Sequence, residues 1–150
     1  MIQDLPVTDF RDPIFTEAFA RYFVELGLKV RDLEGLWEEM NRSGCEARMR
    51  VCNGHAIGFI QYQPILAESS FFEERLGFIR ELWIDPDHRR KGHGTALLTL
   101  AEEACRAQEV VRMILTTDTA EQFYLRNGYR KRPDISAKNR LCVYEKLLLE

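Results

Sequence analysis

The sequence of 150 residues lacks any apolar run of the length, about 20 residues, that a membrane-spanning helix needs. Its opening stretch, MIQDLPVTDFRD, has neither the basic nor the apolar segment of a secretory signal. Basic residues show no surplus either, because 21 Lys and Arg stand against 24 Asp and Glu, a net charge of −3. Nucleic-acid-binding domains usually carry a basic excess or face. We therefore expect a cytoplasmic protein with neither a membrane nor a nucleic acid as its partner.

Cysteine is scarce, and its spacing forms no pattern. The four cysteines are Cys45, Cys52, Cys105 and Cys142, and no two of them stand at C-x-x-C spacing. The three histidines do not complete a zinc motif with them. Thiols without a disulfide framework suit a reducing compartment. The sequence therefore predicts no metal centre and no disulfide-stabilised fold.

The chain shows no repeat, linker or low-complexity segment, which predicts a single domain over residues 1–150. We expect helices at 13–26, 32–43, 95–106 and 119–126 from apolar spacing and capping residues. Strands are expected at 2–7, 46–52, 55–62, 78–84, 110–117, 129–132 and 141–148. Asn53-Gly54 predicts a hairpin turn, Pro64 is expected to close the strand that follows it, and residues 66–76 read as a loop or one helical turn.

The most informative stretch runs from Phe78 to Arg106 and reads as a buried strand, a basic glycine-containing turn and an amphipathic helix. Glycines at 92 and 94 allow a ligand to approach the backbone closely. The first N–H groups of a helix and its dipole suit a phosphate group, so the turn is a candidate anion cradle. Neither a P-loop nor a G-x-G-x-x-G dinucleotide motif is present. The alternative is a solvated basic turn before an ordinary surface helix.

Two motifs suggest which phosphate ligand this is. R-x-x-G-x-G at 89–94, after a strand ending ELWIDP, resembles motif A of the GCN5-related N-acetyltransferase (GNAT) superfamily, and FYLRNGY at 123–129 resembles its motif B. The resemblance implies an α/β fold with a mixed, mostly antiparallel sheet, helices on both faces and a central β-α-β unit that binds acetyl-CoA. It implies that the pyrophosphate is bound by the loop residues Arg89, Arg90, Lys91, Gly92, His93, Gly94 and Thr95.

The same resemblance indicates which residues bind the pantetheine arm of acetyl-CoA. The backbone of Leu82, Trp83 and Ile84 would hydrogen-bond the arm and polarise the acetyl carbonyl. Asp118 stands where Asn is frequent in the family and contacts the pantetheine; an Asp accepts hydrogen bonds but cannot donate them.

Aminolysis of a thioester requires a neutral amine. An alkyl amine of pKa about 10.4 loses its proton at pH 7 at a cost of roughly 4.6 kcal/mol, so the site needs a proton acceptor. Glu81, on the same strand face as Trp83, is the candidate base; a structural ion pair with an arginine is the alternative. By resemblance, Tyr124 is the candidate acid for the leaving thiolate, or else a tyrosine that only packs.

The charge pattern bears on the identity of the acceptor. Acidic residues at 68, 73 and 74 favour a cationic amine, unless they form only a solvated face. A silent module that binds CoA or another phosphate ligand without turnover is the second hypothesis, and transfer of a longer acyl group is a third. The expected partners are acetyl-CoA and an amine acceptor, for a monomer or a homodimer.

Overall fold

The computed structural model describes residues 1–148. Over that range it has seven strands in one sheet and four α-helices. In chain order they are β1 (Ile2–Pro6), α1 (Pro13–Leu26), α2 (Leu33–Arg42), β2 (Glu46–Cys52), β3 (His55–Glu68), β4 (Glu73–Ile84), α3 (His93–Arg106), β5 (Arg112–Thr117), α4 (Glu121–Arg126), β6 (Arg130–Lys131) and β7 (Cys142–Leu147). The strand order is β1-β2-β3-β4-β5-β7-β6. The single domain predicted over 1–150 stays a prediction, and its last two residues lie outside the described range.

The predicted α/β class with a mixed, mostly antiparallel sheet is confirmed. β2 pairs antiparallel with β1 and β3, and β7 pairs antiparallel with β5 and β6. β4 and β5 pair in parallel, with Leu76 opposite Arg112 and Phe78 opposite Ile114. Because parallel neighbours need a crossover, α3 serves as the connection in the expected β-α-β unit.

Two predictions about the middle of the chain are wrong. β3 does not end at Pro64 but continues to Glu68, and residues 66–76 form a hairpin instead of a loop or helical turn. The N–H of Ser69 donates to the carbonyl of Phe72 at 2.8 Å and closes the hairpin. Pro64 is tolerated because the ladder with β2 ends at the Glu46–Tyr62 pair, and a residue without an N–H fits where a neighbouring strand stops.

The first of two compact units comprises residues 1–63 and 81–101. The carboxylate of Asp12 caps α1 by accepting from the Ile14 N–H at 2.8 Å, and Gly27 ends the helix in the left-handed conformation. The apolar faces of α1 and α2 cover an aromatic core that includes Phe15, Phe19, Trp37, Phe59 and Trp83. The Phe19 and Phe59 rings stack at 5.4 Å. This core therefore anchors the end of β4 that carries the candidate site.

The second unit comprises residues 64–80 and the chain from 102 onward. β5 and β7 pair over their whole length, from Arg112 opposite Leu147 to Thr117 opposite Cys142. Two carboxylates are buried here, Glu102 and Glu145, and each is hydrogen-bonded to cationic or hydroxyl groups. Burial of a carboxylate is tolerable only with such partners, so these side chains fix how the strands of this unit pack.

No helix within residues 1–148 has the length and hydropathy that a bilayer crossing requires. In the same range, the structure brings no three His, Cys, Asp or Glu side chains together in an arrangement that could hold a metal ion.

Candidate active site

The candidate site begins where β4 ends. The N–H of Asp85 donates to the carbonyl of Ile57 at 2.8 Å, so the strand stays paired with β3 up to its last residue. The Asp85 side chain then accepts from the Asp87 N–H at 2.9 Å and starts a short 3₁₀ turn, Pro86–His88. This acidic turn redirects the chain into the basic loop, as the Asp-Pro-Asp sequence predicts.

The loop runs directly into the N-terminus of α3. The carbonyl of Gly92 accepts from the Ala96 N–H at 3.1 Å, so Gly92 is the residue that precedes the helix. The N–H groups that follow it, at His93, Gly94 and Thr95, belong to the first turn and have no partner within the helix. Such groups, with the positive end of the helix dipole, form an anion site.

Glycine at position 92 is required by backbone conformation and not by crowding. Its φ is +84°, and a Cβ built there would meet no atom within 4 Å. An L-residue in that region costs about 1–2 kcal/mol. Arg90 also has a positive φ, of 65°. The loop is therefore wound tightly while the space in front of it stays open.

The three basic residues of the loop differ in their surroundings. Arg89 is held by the protein itself, since its Nη2 lies 2.7 Å from both carboxylate oxygens of Glu25 and its Nε donates to the Ile84 carbonyl at 2.8 Å. Arg90 and Lys91 are exposed and make no ion pair within the described residues. Arg89 therefore braces the loop, and the charge available to an anion comes from the other two.

His93, the first residue of α3, is tied to β2. Arg50 places its Nη1 3.0 Å from Nδ1 of His93 and forms a second, bidentate contact with Asp4 at 2.8 and 2.9 Å. Burial, followed by the positive charges of Arg50 and His88, lowers the pKa of His93 below 6.5. Because a guanidinium can only donate, Nδ1 of His93 accepts from Arg50, which leaves a proton on Nε2.

Helix α1 fixes the side chains at the end of β4. The hydroxyl of Tyr22 donates to the carboxylate of Glu81, and the indole N–H of Trp83 donates to Glu25 at 2.9 Å. Arg21 lies over the Trp83 ring at 5.2 Å. These contacts confirm that Glu81 and Trp83 share a strand face, the one turned toward α1. Leu82 and Ile84 are half-buried.

The α1 residues Arg21, Tyr22 and Glu25 were missed by sequence reasoning. We call them the α1 polar stripe. The signal was present, because polar residues interrupt the aromatic pattern between Phe19 and Leu26. A helical pattern tells which face is buried, but it does not tell which strand that face covers.

The other two predicted site residues lie in the second unit. Asp118 is exposed and follows β5 directly. Tyr124, on α4, is only 6% exposed, and its ring lies 5.0 Å from that of Phe123 and 5.5 Å from that of Tyr129. The packing that was the alternative reading for Tyr124 is therefore present, and its role as an acid stays a prediction. Asn127 is the C-cap of α4, and Gly128 follows it with a positive φ.

A strand, an acidic turn and a helix N-terminus behind a left-handed glycine define an α/β protein with a candidate anion-binding turn. The chain belongs to the acetyltransferase (GNAT) family, whose family model matches residues 6–129. Membership of this family assigns the protein to acetyl transfer in general, and it confirms the resemblance carried by the two motifs.

Solved structures agree on the fold. An acetyltransferase of the GNAT family from Staphylococcus aureus Mu50 shares 18% identity, with 99% of this chain and 100% of that chain covered and a TM-score of 0.70. An aminoglycoside 6′-N-acetyltransferase complexed with coenzyme A shares 14% identity, with 100% of this chain and 98% of that chain covered and a TM-score of 0.75. The PaiA N-acetyltransferase of Thermoplasma acidophilum, in complex with coenzyme A, shares 18% identity, with 98% of this chain and 99% of that chain covered and a TM-score of 0.69. No curated protein gave a significant match.

Proposed function

We propose that this protein is an acetyl-CoA-dependent N-acetyltransferase that acetylates a primary amine of a small molecule or peptide by direct attack in a ternary complex. The observation that carries the proposal is that a carboxylate and an anion cradle stand on consecutive elements. Glu81 lies in β4, where Tyr22 orients it, and the cradle at the start of α3 follows. A thioester with a pyrophosphate arm needs both kinds of group, a proton acceptor for the attacking amine and donors for the phosphates.

In this proposal the cradle holds acetyl-CoA through its phosphates. The N–H groups of Gly92 to Thr95 donate to the pyrophosphate, and Arg90 and Lys91 add charge. Arg89 keeps the loop in shape through Glu25 and Ile84. Backbone groups of Leu82 to Ile84 bind the pantetheine and polarise the acetyl carbonyl, while Asp118 accepts a hydrogen bond from an amide of the arm. Two relatives of the same fold are described as coenzyme A complexes, which supports this choice of donor.

The proposed reaction has one covalent exchange. Glu81 accepts a proton from the ammonium group, and the neutral nitrogen attacks the acetyl carbonyl carbon. The C–N bond forms, the C–S bond breaks, and the thiolate of CoA takes a proton from Tyr124. Each proton transfer of this kind contributes about 10²–10⁴-fold to a rate.

The state of the cysteines bears on the compartment. Within the described residues, none of the thiols of Cys45, Cys52, Cys105 and Cys142 forms a disulfide, which supports the reducing cytoplasm as the location that we propose. Whether the protein works as a monomer or a homodimer stays a prediction.

The proposal is tested by incubating the purified protein with acetyl-CoA and a panel of primary amines and measuring free thiol. We expect thiol release that depends on one class of amine, with Glu81→Gln and Tyr124→Phe slowing it while acetyl-CoA still binds. Binding of acetyl-CoA without thiol release from any amine would instead identify the silent CoA-binding module. If a longer acyl-CoA reacts faster than acetyl-CoA, the proposed donor changes, but the protein is still an N-acyltransferase.

A further inference from the structure

The first turn of α3 is tied to the sheet through a side chain. His93 follows Gly92 directly and is the first residue of the helix. Its Nδ1 lies 3.0 Å from Nη1 of Arg50, which stands 43 residues earlier in the sequence, on β2. Both residues belong to the first unit. A strand outside the strand–turn–helix therefore contacts the candidate anion site directly.

The sheet fixes the guanidinium of Arg50. Asp4 lies opposite Arg50 in the ladder of β1 and β2. Its two carboxylate oxygens accept from Nε at 2.8 Å and from Nη2 at 2.9 Å. This bidentate contact leaves Nη1 for His93, and the Arg50 side chain is only 16% exposed. Arg50 is therefore held in one orientation by the protein itself.

An irregularity of the sheet lies at the same place. Between Arg50 and Val51 the pairing of β2 with β3 shifts by one residue, and the extra residue is Ile57 of β3. The carbonyl of Ile57 accepts from the N–H of Asp85 at 2.8 Å, where β4 ends and the turn begins. Bulges of this kind are over-represented next to active sites. The bulge therefore lies between Arg50 and the start of the turn that leads to α3.

Arg50 determines which nitrogen of His93 carries the proton. A guanidinium has donors only, so Nδ1 accepts, and the proton of the neutral imidazole is on Nε2. Burial, followed by the charge of Arg50, lowers the pKa of His93 below 6.5 and favours that neutral form. Nε2 donates to no residue within 1–148. The ring therefore presents a neutral N–H donor at the residue that starts the helix.

We infer that Arg50 is a positioning residue of the acetyl-CoA site, because it fixes His93 with a proton on Nε2 that is donated to a phosphate oxygen. The imidazole adds one donor to the backbone N–H groups of the same turn, and hydrogen bonds to a charged phosphate are among the strong ones. Asp4 contributes by holding Arg50. This role rests on the proposed function, in which the turn binds the phosphates of acetyl-CoA, and it brings β1 and β2 into that site.

Titration calorimetry with acetyl-CoA tests the role of Arg50. Arg50→Met keeps the length of the side chain but cannot donate to Nδ1, and we expect Kd to rise about tenfold, which corresponds to about 1.4 kcal/mol. Arg48→Met is the matched control, since it removes the same charge from the same face of β2, and its Kd should stay close to that of wild type. An equal rise in both variants would show a general effect of charge and overturn the inference.

Two substitutions at position 93 separate positioning from a merely structural contact. The amide nitrogen of glutamine reaches approximately the place of Nε2, and that of asparagine the place of Nδ1. We expect His93→Gln to lose less affinity than His93→Asn, and Arg50→Met to cause no further loss in the His93→Asn background, because coupled residues are not additive. Equal affinities of the two position-93 variants would overturn the inference, and this comparison stands even if Arg50→Met does not fold.

Failure of the inference and failure of the proposed function give different results. If wild type binds acetyl-CoA and Arg50→Met binds it equally well, the inference is overturned and the acetyl-CoA site stands. If wild type does not bind acetyl-CoA, the proposed function fails, and ¹⁵N NMR of the His93 ring tests the donor alone, with inorganic pyrophosphate as the probe. A shift of Nε2 that is lost in Arg50→Met supports the role. The absence of a shift at millimolar pyrophosphate overturns it.

Discussion

Two groups of charged side chains in this protein contrast in burial and in what they hold. In the first unit, Glu25 binds Arg89 and the Trp83 indole, with side-chain exposures of 38% for Glu25 and 43% for Arg89. In the second unit, Glu145 is 1% exposed and accepts from Arg112, Arg130 and Arg132. The first group holds the loop of the candidate anion site, and the second holds strands together.

The contrast also appears in the pKa values. Arg89, followed by Trp83, lowers the pKa of Glu25 through hydrogen bonds at a site open to solvent. For Glu145, burial acts to raise the pKa, but hydrogen bonds from Arg132, Arg130 and Arg112 outweigh it and lower the value. The exposed Glu25–Arg89 pair adds little to stability, because water can solvate either partner when the pair is broken. Glu145 is buried, so water cannot replace its arginine partners, and this second group is structural.

The largest effect is expected on catalysis. Glu81→Gln keeps the size of the side chain and can still accept from Tyr22, but it cannot take a proton from an amine. We expect the rate of thiol release to fall about 100- to 10,000-fold while the affinity for acetyl-CoA and the unfolding midpoint stay close to wild type. Full activity in this variant would show that Glu81 is not the base and belongs with the structural carboxylates.

A stability measurement tests the structural half of the contrast. Glu145→Gln leaves three arginines around a neutral amide, and we expect the free energy of unfolding to fall by about 2–4 kcal/mol in urea titrations. Because the pKa of Glu145 is lowered on folding, its contribution is complete above the ordinary value of 4.5 and is lost as pH falls through the lowered value. An unchanged acid unfolding profile in the variant would contradict this assignment.

The same chemical change at Glu25 gives the matched comparison. Glu25→Gln breaks an exposed pair, so we expect a loss of unfolding free energy below about 1 kcal/mol. The KM for acetyl-CoA should change instead, because Arg89 and Trp83 lose the carboxylate that positions them. A loss as large as that of Glu145→Gln would remove the distinction between the two groups.

The smallest effect concerns His93. Because its pKa lies below 6.5, the folded protein resists protonation there, and stability falls as pH drops from 6.5 through the lowered value. Arg50→Gln removes a positive charge that lowers the pKa of His93, and we expect the His93 resonances to titrate closer to 6.5 by NMR. An unchanged titration would show that Arg50 does not contribute to the lowered pKa of His93.

Local patterns predicted the strand–turn–helix of the site correctly. Asp-Pro-Asp ends β4, Gly92 takes a positive φ, and Asp12 and Gly27 cap α1, because each of these features depends on residues close in sequence. The hairpin at residues 66–76 was missed because its alternation is masked by Pro64 and by polar residues. Its strands are stabilised by neighbouring strands and not by their own composition.

The α1 polar stripe escaped prediction for a related reason. Tyr22 and Glu81 are 59 residues apart in sequence, and Glu25 and Arg89 are 64 apart. A helical repeat indicates that Tyr22 and Glu25 point to one side, but the partner is chosen by the sheet. The residues that position the candidate base and the loop could therefore be found only in the folded structure.

The central claim, that the turn before α3 binds acetyl-CoA, is tested most directly by isothermal titration. We expect wild-type protein to bind acetyl-CoA in the micromolar range and Gly92→Val to lose that binding, because valine cannot keep the φ of +84° that the loop requires. Gly44→Val is the matched control, with a φ of +78° and equally open surroundings outside the loop. Retained binding in the first variant, or equal loss in both, would contradict the claim.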